Sequence, residues 1–259
     1  MTATSNMISA ALARRKCLPW ASEAVYDQQE YFYPGTWKAK WPEGLGVPSV
    51  LAGVEGGSRT KLPVTRRDVF AAASNVATEE DALNLYVMMC GWGAGVKGRP
   101  GYRARLPLAE RDIAPKLLRS NQAIRGGENP VSVYRSLASG EFRIRHFGPA
   151  FFTKWMYFSG YASGESAQPK PLILDARVAA SLGLPPHGWA PEVYAAYLQL
   201  SKDVAAELDG REPHVVEHAL FVLNGQLDRP CPRVQVPNPL EVCASICLPS
   251  LRSHCAPEG

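Results

Sequence analysis

Apolar residues recur at three- and four-residue intervals along much of this chain, the spacing that puts them on one face of a helix. The longest such stretch spans 191–208, where Val193, Ala196, Tyr197, Leu200 and Val204 share a side. Start and stop signals predict further helices over about 66–75, 78–90, 108–121, 130–139, 149–157, 175–183 and 211–223. Thr65 caps the first of these, and Thr78-Glu79-Glu80-Asp81 reads as a capping box with Asp in the usual Glu position. Gly91 to Gly95 ends the second, because glycine accepts the positive φ of a C-cap. Residues 97–107 (KGRPGYRARLP) read as a basic loop, and 18–54, rich in aromatics, Pro and Gly, as irregular structure with short helices. No stretch alternates as a strand would, and there is no internal repeat. The expected fold class is mainly α, built from many short helices.

Composition bounds this picture. The chain has 259 residues, 46% of them apolar and 20% charged, enough for one large domain or two small lobes. No apolar run approaches the ~20 residues of a membrane span. The first 16 residues place their basic residues after a short apolar stretch, the reverse of a secretory signal, and read as a frayed leader. Six cysteines and no such signal suggest a reducing, cytoplasmic setting. Charge is uneven. Between Lys97 and Lys154, twelve basic residues face four acids, a local +8 within a chain of net +4. Such a segment suits a polyanion, nucleic acid first, and equally a solvated face.

Within 147–178 one lysine sits in an aromatic run. Lys154 lies among Phe151, Phe152, Trp155, Met156, Tyr157 and Phe158, and Asp175 follows the apolar Leu172-Ile173-Leu174. A lysine and a carboxylate, each set against apolar sequence, suit an amine nucleophile and its acid/base partner. Burial and the neighbouring basic surface would bring the lysine toward neutrality. The same residues also suit a snorkelling lysine and a helix N-cap.

Gly148-Pro149-Ala150-Phe151-Phe152-Thr153-Lys154, followed by Leu172-Ile173-Leu174-Asp175, resembles the helix-hairpin-helix DNA glycosylases, most closely their 8-oxoguanine branch. The resemblance keeps the Pro, the Thr-Lys and the spacing to the aspartate. It replaces both hairpin glycines, by Ala150 and Phe152, which leaves Gly148 to make the tight turn. A second patch, Glu217-His218-Ala219-Leu220-Phe221, matches the branch's base-reading helix, with Glu in place of Gln. The resemblance covers about 60–225 and implies two helical lobes with the active site in the cleft between them. The first lobe is expected from 17–75 and 188–230, and the second, with the hairpin, from 76–187.

By the same resemblance, Lys154 is the nucleophile and Asp175 its acid/base partner. Glu217, Phe221 and Phe158 hold an extruded base, and Trp92, within the stretch 87–102, is the wedge that fills the duplex. Gly148, Pro149, Ala150, Arg103, Arg105 and Arg145 contact DNA. An ionised glutamate only accepts hydrogen bonds, which favours a base edge rich in donors. The implied partner is double-stranded DNA, bound by a monomer that is nucleoid-associated in a bacterium. The chemistry needs neither a cofactor nor a metal, and the spacing of Cys231, Cys243, Cys247 and Cys255 departs from the family's cluster pattern.

The implied activity is glycosylase with strand-nicking lyase action on an 8-oxoguanine-like lesion. The same chemistry would also serve antiviral defence, by excising a hypermodified base. A non-catalytic DNA-binding protein, or a Schiff-base enzyme acting on small carbonyl compounds, would carry some of these features but not all.

Overall fold

A computed structural model describes residues 8–10, 12–13, 21–96, 98–161 and 169–226. The fold is mainly α-helical. Its elements in order are α1 (Ser22–Tyr26), β1 (Gln29–Phe32), α2 (Pro34–Lys38), a 3-10 turn (Ser49–Leu51), β2 (Leu62–Thr65) and α3 (Arg66–Ser74). There follow α4 (Glu79–Ala94), α5 (Gly98–Arg105), a second 3-10 turn (Leu106–Ala109), α6 (Ile113–Arg125), α7 (Pro130–Ser139) and α8 (Pro149–Gly160). The last three are α9 (Ala176–Ser181), α10 (Pro191–Glu207) and α11 (Pro213–Leu223). None of the described helices is long and apolar enough to cross a membrane.

The local signals explain most boundaries. Thr65 and Thr78 each accept from the N–H three residues on, and Asp68 and Asp81 return a bond to the cap backbone, so α3 and α4 both open on full capping boxes. Pro130, Pro149, Pro191 and Pro213 each occupy the first helical position, where a missing N–H costs nothing.

Three expectations fail for identifiable reasons. The region before α3 holds a two-stranded antiparallel sheet, with Gln29 opposite Thr65 and Phe32 opposite Leu62. Its strands are four residues long, too short for alternation to stand out among Pro and aromatics. Residues 98–105 are helical, not a loop. Pro100 lies in the first turn, where its ring is tolerated, and buried Gly101 and Ala104 turn inward. Tyr86 on α4 fixes that inward face by donating to the Ala104 carbonyl at 2.7 Å.

The third concerns Gly91 and Gly93, which do not end α4. The helix runs on to Ala94 and is capped by Gly95 at φ 59°. The two glycines are there for close approach. A Cβ on Gly91 would meet the Phe32 ring at 2.8 Å, and one on Gly93 would meet Lys154 Cδ at 3.0 Å.

The core is one contiguous apolar cluster around α4 and α8, which pack on each other and on α3 and α6. On the other side α11 packs on α9, α10 and α1, while α10 also reaches α7. At the start of the chain, Ile8 and Leu12 are buried in this cluster, so a frayed leader is not what these two positions show. The cysteine-rich tail from 231 lies outside the described residues.

Candidate active site

α8 carries Lys154 on its buried side, with 6% of the residue exposed. Helical side chains lean toward the N-terminus, so Lys154 Nζ reaches back and donates to the Ala150 carbonyl at 3.0 Å. Its other partner is Asp175 Oδ2, also at 3.0 Å.

Asp175 is held by three supports. The chain before it, Leu172 to Leu174, is extended and buried yet belongs to no sheet, so its backbone groups need side-chain partners. Tyr194 Oη accepts from Leu172 N–H at 3.2 Å and donates to its carbonyl at 2.9 Å, and Tyr197 Oη donates to the Ile173 carbonyl at 2.8 Å. Thr153, the neighbour of the lysine, accepts from Leu174 N–H at 3.1 Å. Asp175 then caps α9, its Oδ1 accepting from Arg177 N–H at 3.0 Å and Val178 N–H at 3.3 Å. The two readings of Asp175, cap and lysine partner, are therefore both realised, one per oxygen.

Burial works to raise the Asp175 carboxyl, but the Lys154 charge and the bonds from Lys154, Val178 and Arg177 outweigh it. The carboxyl lies below its ordinary value and is ionised at neutral pH. The aliphatic stem of Lys154 runs along Gly93, which is itself exposed.

Beneath this pair is a second charged cluster. Glu217 on α11 and Arg66 at the start of α3 are both fully buried and meet at 2.8 Å. Arg66 also donates to Gln28 Oε1 at 2.8 Å and to Tyr157 Oη at 3.1 Å, and its guanidinium lies 4.9 Å from the Trp92 ring centroid. Tyr157 Oη lies 3.2 Å from His214 Nδ1, and His214 Nε2 lies 3.1 Å from Glu212. The 3.1 Å approach of His214 Nε2 to Glu212 lacks hydrogen-bond geometry, so the imidazole is held through Nδ1 and by its stacking on Tyr161. Burial raises the Glu217 carboxyl, and Arg66 opposes it. On Arg66 burial works the other way, but Glu217 and Tyr157 outweigh it and the guanidinium keeps its proton. At 2.8 Å Arg66 Nη1 donates to Glu217 Oε2, so the Glu217 carboxyl serves as an acceptor although burial holds it above its ordinary value.

The structure brings some expected residues together and separates others. Lys154 and Asp175 are in contact. Glu217 and Phe158 are buried rather than open, Phe158 being 2% exposed and packed edge-on against Phe70, Tyr157 and Trp92. Phe221 is half-buried, with the Arg177 guanidinium 4.1 Å above its ring. Trp92 does not project. It is 4% exposed and donates from Nε1 to the Gln28 carbonyl at 3.1 Å, so the wedge reading fails for this residue.

Gly148, Pro149, Ala150 and Arg103 line one cavity of about 290 Å³ at the start of α8, together with His146 and Trp189. Arg145 lines a neighbouring cavity that shares His146 with the first. Arg105 points elsewhere, over the Trp37 ring at 5.9 Å. The tight turn expected at Gly148 falls instead at His146, which takes φ 67°, while Gly148 is extended at φ −82° and ψ 173°.

Sequence reasoning missed Thr153, Tyr194, Tyr197 and Arg66 as positioning residues. Tyr194 and Tyr197 are three apart, so both face one side of α10, and a pair of hydroxyls there was the available signal. Arg66 gave none, because a charged residue in the first turn of a capped helix reads as solvated. Among the described residues, no three His, Cys, Asp or Glu side chains gather into a metal-ligating group.

The model of one protein family, described as "Putative 8-oxoguanine DNA glycosylase OGG-like protein", matches residues 23–221. That span contains Lys154, Asp175, Arg66 and Glu217. No curated protein and no solved structure matches the chain.

Proposed function

We propose, for a chain that belongs to the OGG-like family of 8-oxoguanine DNA glycosylases, that Lys154 is the nucleophile of base excision from duplex DNA and that the enzyme is also a lyase. The observation that carries this reading is the buried contact of Lys154 Nζ with Asp175 Oδ2 at 3.0 Å.

A base within the stack is out of reach of a buried amine, so the nucleotide is first extruded. To attack, Lys154 sheds a proton, and Asp175 Oδ2 is the base within reach. Nζ forms a bond to the sugar C1′ as the C1′–base bond breaks. The base leaves with that electron pair and takes up a proton. Asp175 passes the proton it received to the departing base, and its carboxylate, ionised again and anchored, faces the positive charge that develops on the sugar. Ring opening converts the adduct to a Schiff base, and loss of a C2′ proton expels the 3′ phosphate. No step calls for a metal or a cofactor.

The Arg66–Glu217 pair lies one helical turn from Lys154, linked to α8 through Tyr157. A carboxylate fixed as an acceptor suits a base edge that presents donors, as an 8-oxoguanine-like purine does. The same feature also fits a hypermodified cytosine, such as its glucosylated hydroxymethyl form, excised in defence against phage.

Borohydride trapping tests the reaction, using duplexes that carry 8-oxoguanine, an abasic site or glucosylated hydroxymethylcytosine. A covalent adduct with the wild-type protein that disappears in Lys154→Gln supports the nucleophile, and the duplex that traps identifies the base. Absence of any adduct or alkali-labile product on all three refutes the reading and leaves a DNA-binding protein without catalysis.

A further inference from the structure

An extruded nucleotide leaves a gap in the duplex, and Trp92 is buried and bonded, unable to fill it. The stretch that continues from it offers another aromatic. Tyr102 on α5 is 58% exposed, the most exposed of the large hydrophobic residues described. Isolated exposed hydrophobics are common, so the surroundings decide what this one means.

α5 reads GRPGYRAR and holds no acid. Arg99, Tyr102 and Arg103 are spaced three and four apart and share one face, and all three are exposed. The opposite face is fixed to the core by buried Gly101 and Ala104, the latter through the Tyr86 bond, so the exposed face is presented rigidly. Neither Arg99 nor Arg103 has a carboxylate partner among the described residues. Arg103 also lines the cavity at the start of α8 with Gly148, Pro149 and Ala150. Ala150 in turn holds Lys154 Nζ through its carbonyl. The basic helix thus borders the same cavity as the residues that open α8, one of which holds the amine.

Tyr31, the other exposed tyrosine among the described residues at 44%, lies on β1 opposite Pro63 and has no such arginine flank. Apolar and aromatic side chains inserted between base steps are an established way to hold a duplex open, and unpaired arginines beside them would neutralise the flanking phosphates.

We propose that Tyr102 is the side chain that enters the duplex, stacking in the gap left by the extruded nucleotide, while Arg99 and Arg103 grip the backbone on either side. This inference rests on the glycosylase reading for its substrate, but its test does not depend on catalysis. The probe is a duplex with a stable abasic analogue facing 2-aminopurine. Binding is read by anisotropy and insertion by 2-aminopurine emission.

At saturation the wild-type protein and Tyr102→Phe should change the emission, and Tyr102→Ala should bind without changing it. Arg99→Ser should weaken binding and lower the log–log salt slope by about one, leaving the emission change at saturation intact. On a natural abasic site, Tyr102→Ala should trap about tenfold more slowly than wild type, the scale of one lost stacking contact. Equal emission changes with Tyr102→Ala and wild type, or none with wild type at saturation, overturn the wedge. Neither result touches the Lys154 adduct, whose absence beside a normal emission change would instead overturn the catalytic reading. Unchanged melting temperatures of the variants establish that folding is not the cause.

Discussion

Asp175 divides its carboxylate between two partners, giving Oδ2 to Lys154 Nζ at 3.0 Å and Oδ1 to the first N–H groups of α9. The division makes its two roles separable. Asn is as good an N-cap as Asp, so Asp175→Asn should keep α9, while leaving the largely buried Lys154 charge uncompensated at a cost of up to about 3–5 kcal/mol. Under the proposed mechanism it also removes the charge that faces the sugar and relays the lysine proton, so excision should fall on the order of a hundredfold or more. Asp175→Ala loses the cap as well and leaves Lys154 unpaired, and it should cost at least about 1 kcal/mol further. Chemical denaturation alongside single-turnover excision separates these effects. Equal activity in Asp175→Asn and wild type would remove Asp175 from the chemistry.

Gly93 sets how the lysine lies. A Cβ there would stand 3.0 Å from Lys154 Cδ and 3.1 Å from Cε, so the stem must shift by a few tenths of an ångström. Gly93 is exposed and inside α4, where Ala is the better helix former by about 0.5–1 kcal/mol. Gly93→Ala should therefore leave the melting temperature unchanged or higher while lowering the trapping rate about tenfold, since small misplacements of a reacting atom are costly. A stable variant with full activity would show that the lysine tolerates the shift.

The contact between Lys154 and Asp175 was legible because its signals are local. An apolar run with one lysine, and an apolar run ending in one aspartate, survive as sequence patterns. The helices were legible for the same reason, through Thr65, Thr78 and the prolines at first helical positions. What stayed hidden depends on contacts between distant segments. Gly91 and Gly93 look like terminators until Phe32 and Lys154 are seen against them. Arg66 and Glu217 are 151 positions apart, and nothing near either one announces a buried ion pair. Trp92 was placed as the wedge by the resemblance alone, and its burial depends on the distant Gln28, Arg66 and Phe158.

That ion pair yields a prediction of its own. Removing one member of a buried pair leaves an uncompensated charge and costs about 3–5 kcal/mol, whereas apolar replacement of both is often close to neutral. Arg66→Met should accordingly destabilise by that amount, and the double variant Arg66→Met, Glu217→Leu should recover most of it. Glu217→Gln keeps the shape and a hydrogen bond to Arg66 while gaining donors. If the glutamate reads a donor-rich edge, this variant should lose rate on the true substrate far more than on an abasic site. Equal loss on both duplexes would assign Glu217 to structure alone.

Acid sensitivity follows from the histidines of α11. Burial pushes His214 down to about 4, with Glu212 opposing, and His218 down to about 3, with Arg66 and His214 adding to the effect. An unfolded histidine titrates near 6.5. Between that value and the folded ones the unfolded chain binds more protons, so the stability these groups contribute is fully present above about pH 7 and is lost as pH falls toward 4. At pH 5 the loss is roughly 2 kcal/mol for each histidine. His218 Nδ1 is buried without a hydrogen-bond partner, so an apolar side chain in its place forfeits no bond there. His218→Leu should match wild type in melting temperature at pH 7.5 and exceed it at pH 5, with about half the pH dependence removed. Parallel pH profiles for the two proteins would mean that His218 is protonated in the folded state as readily as in the unfolded one.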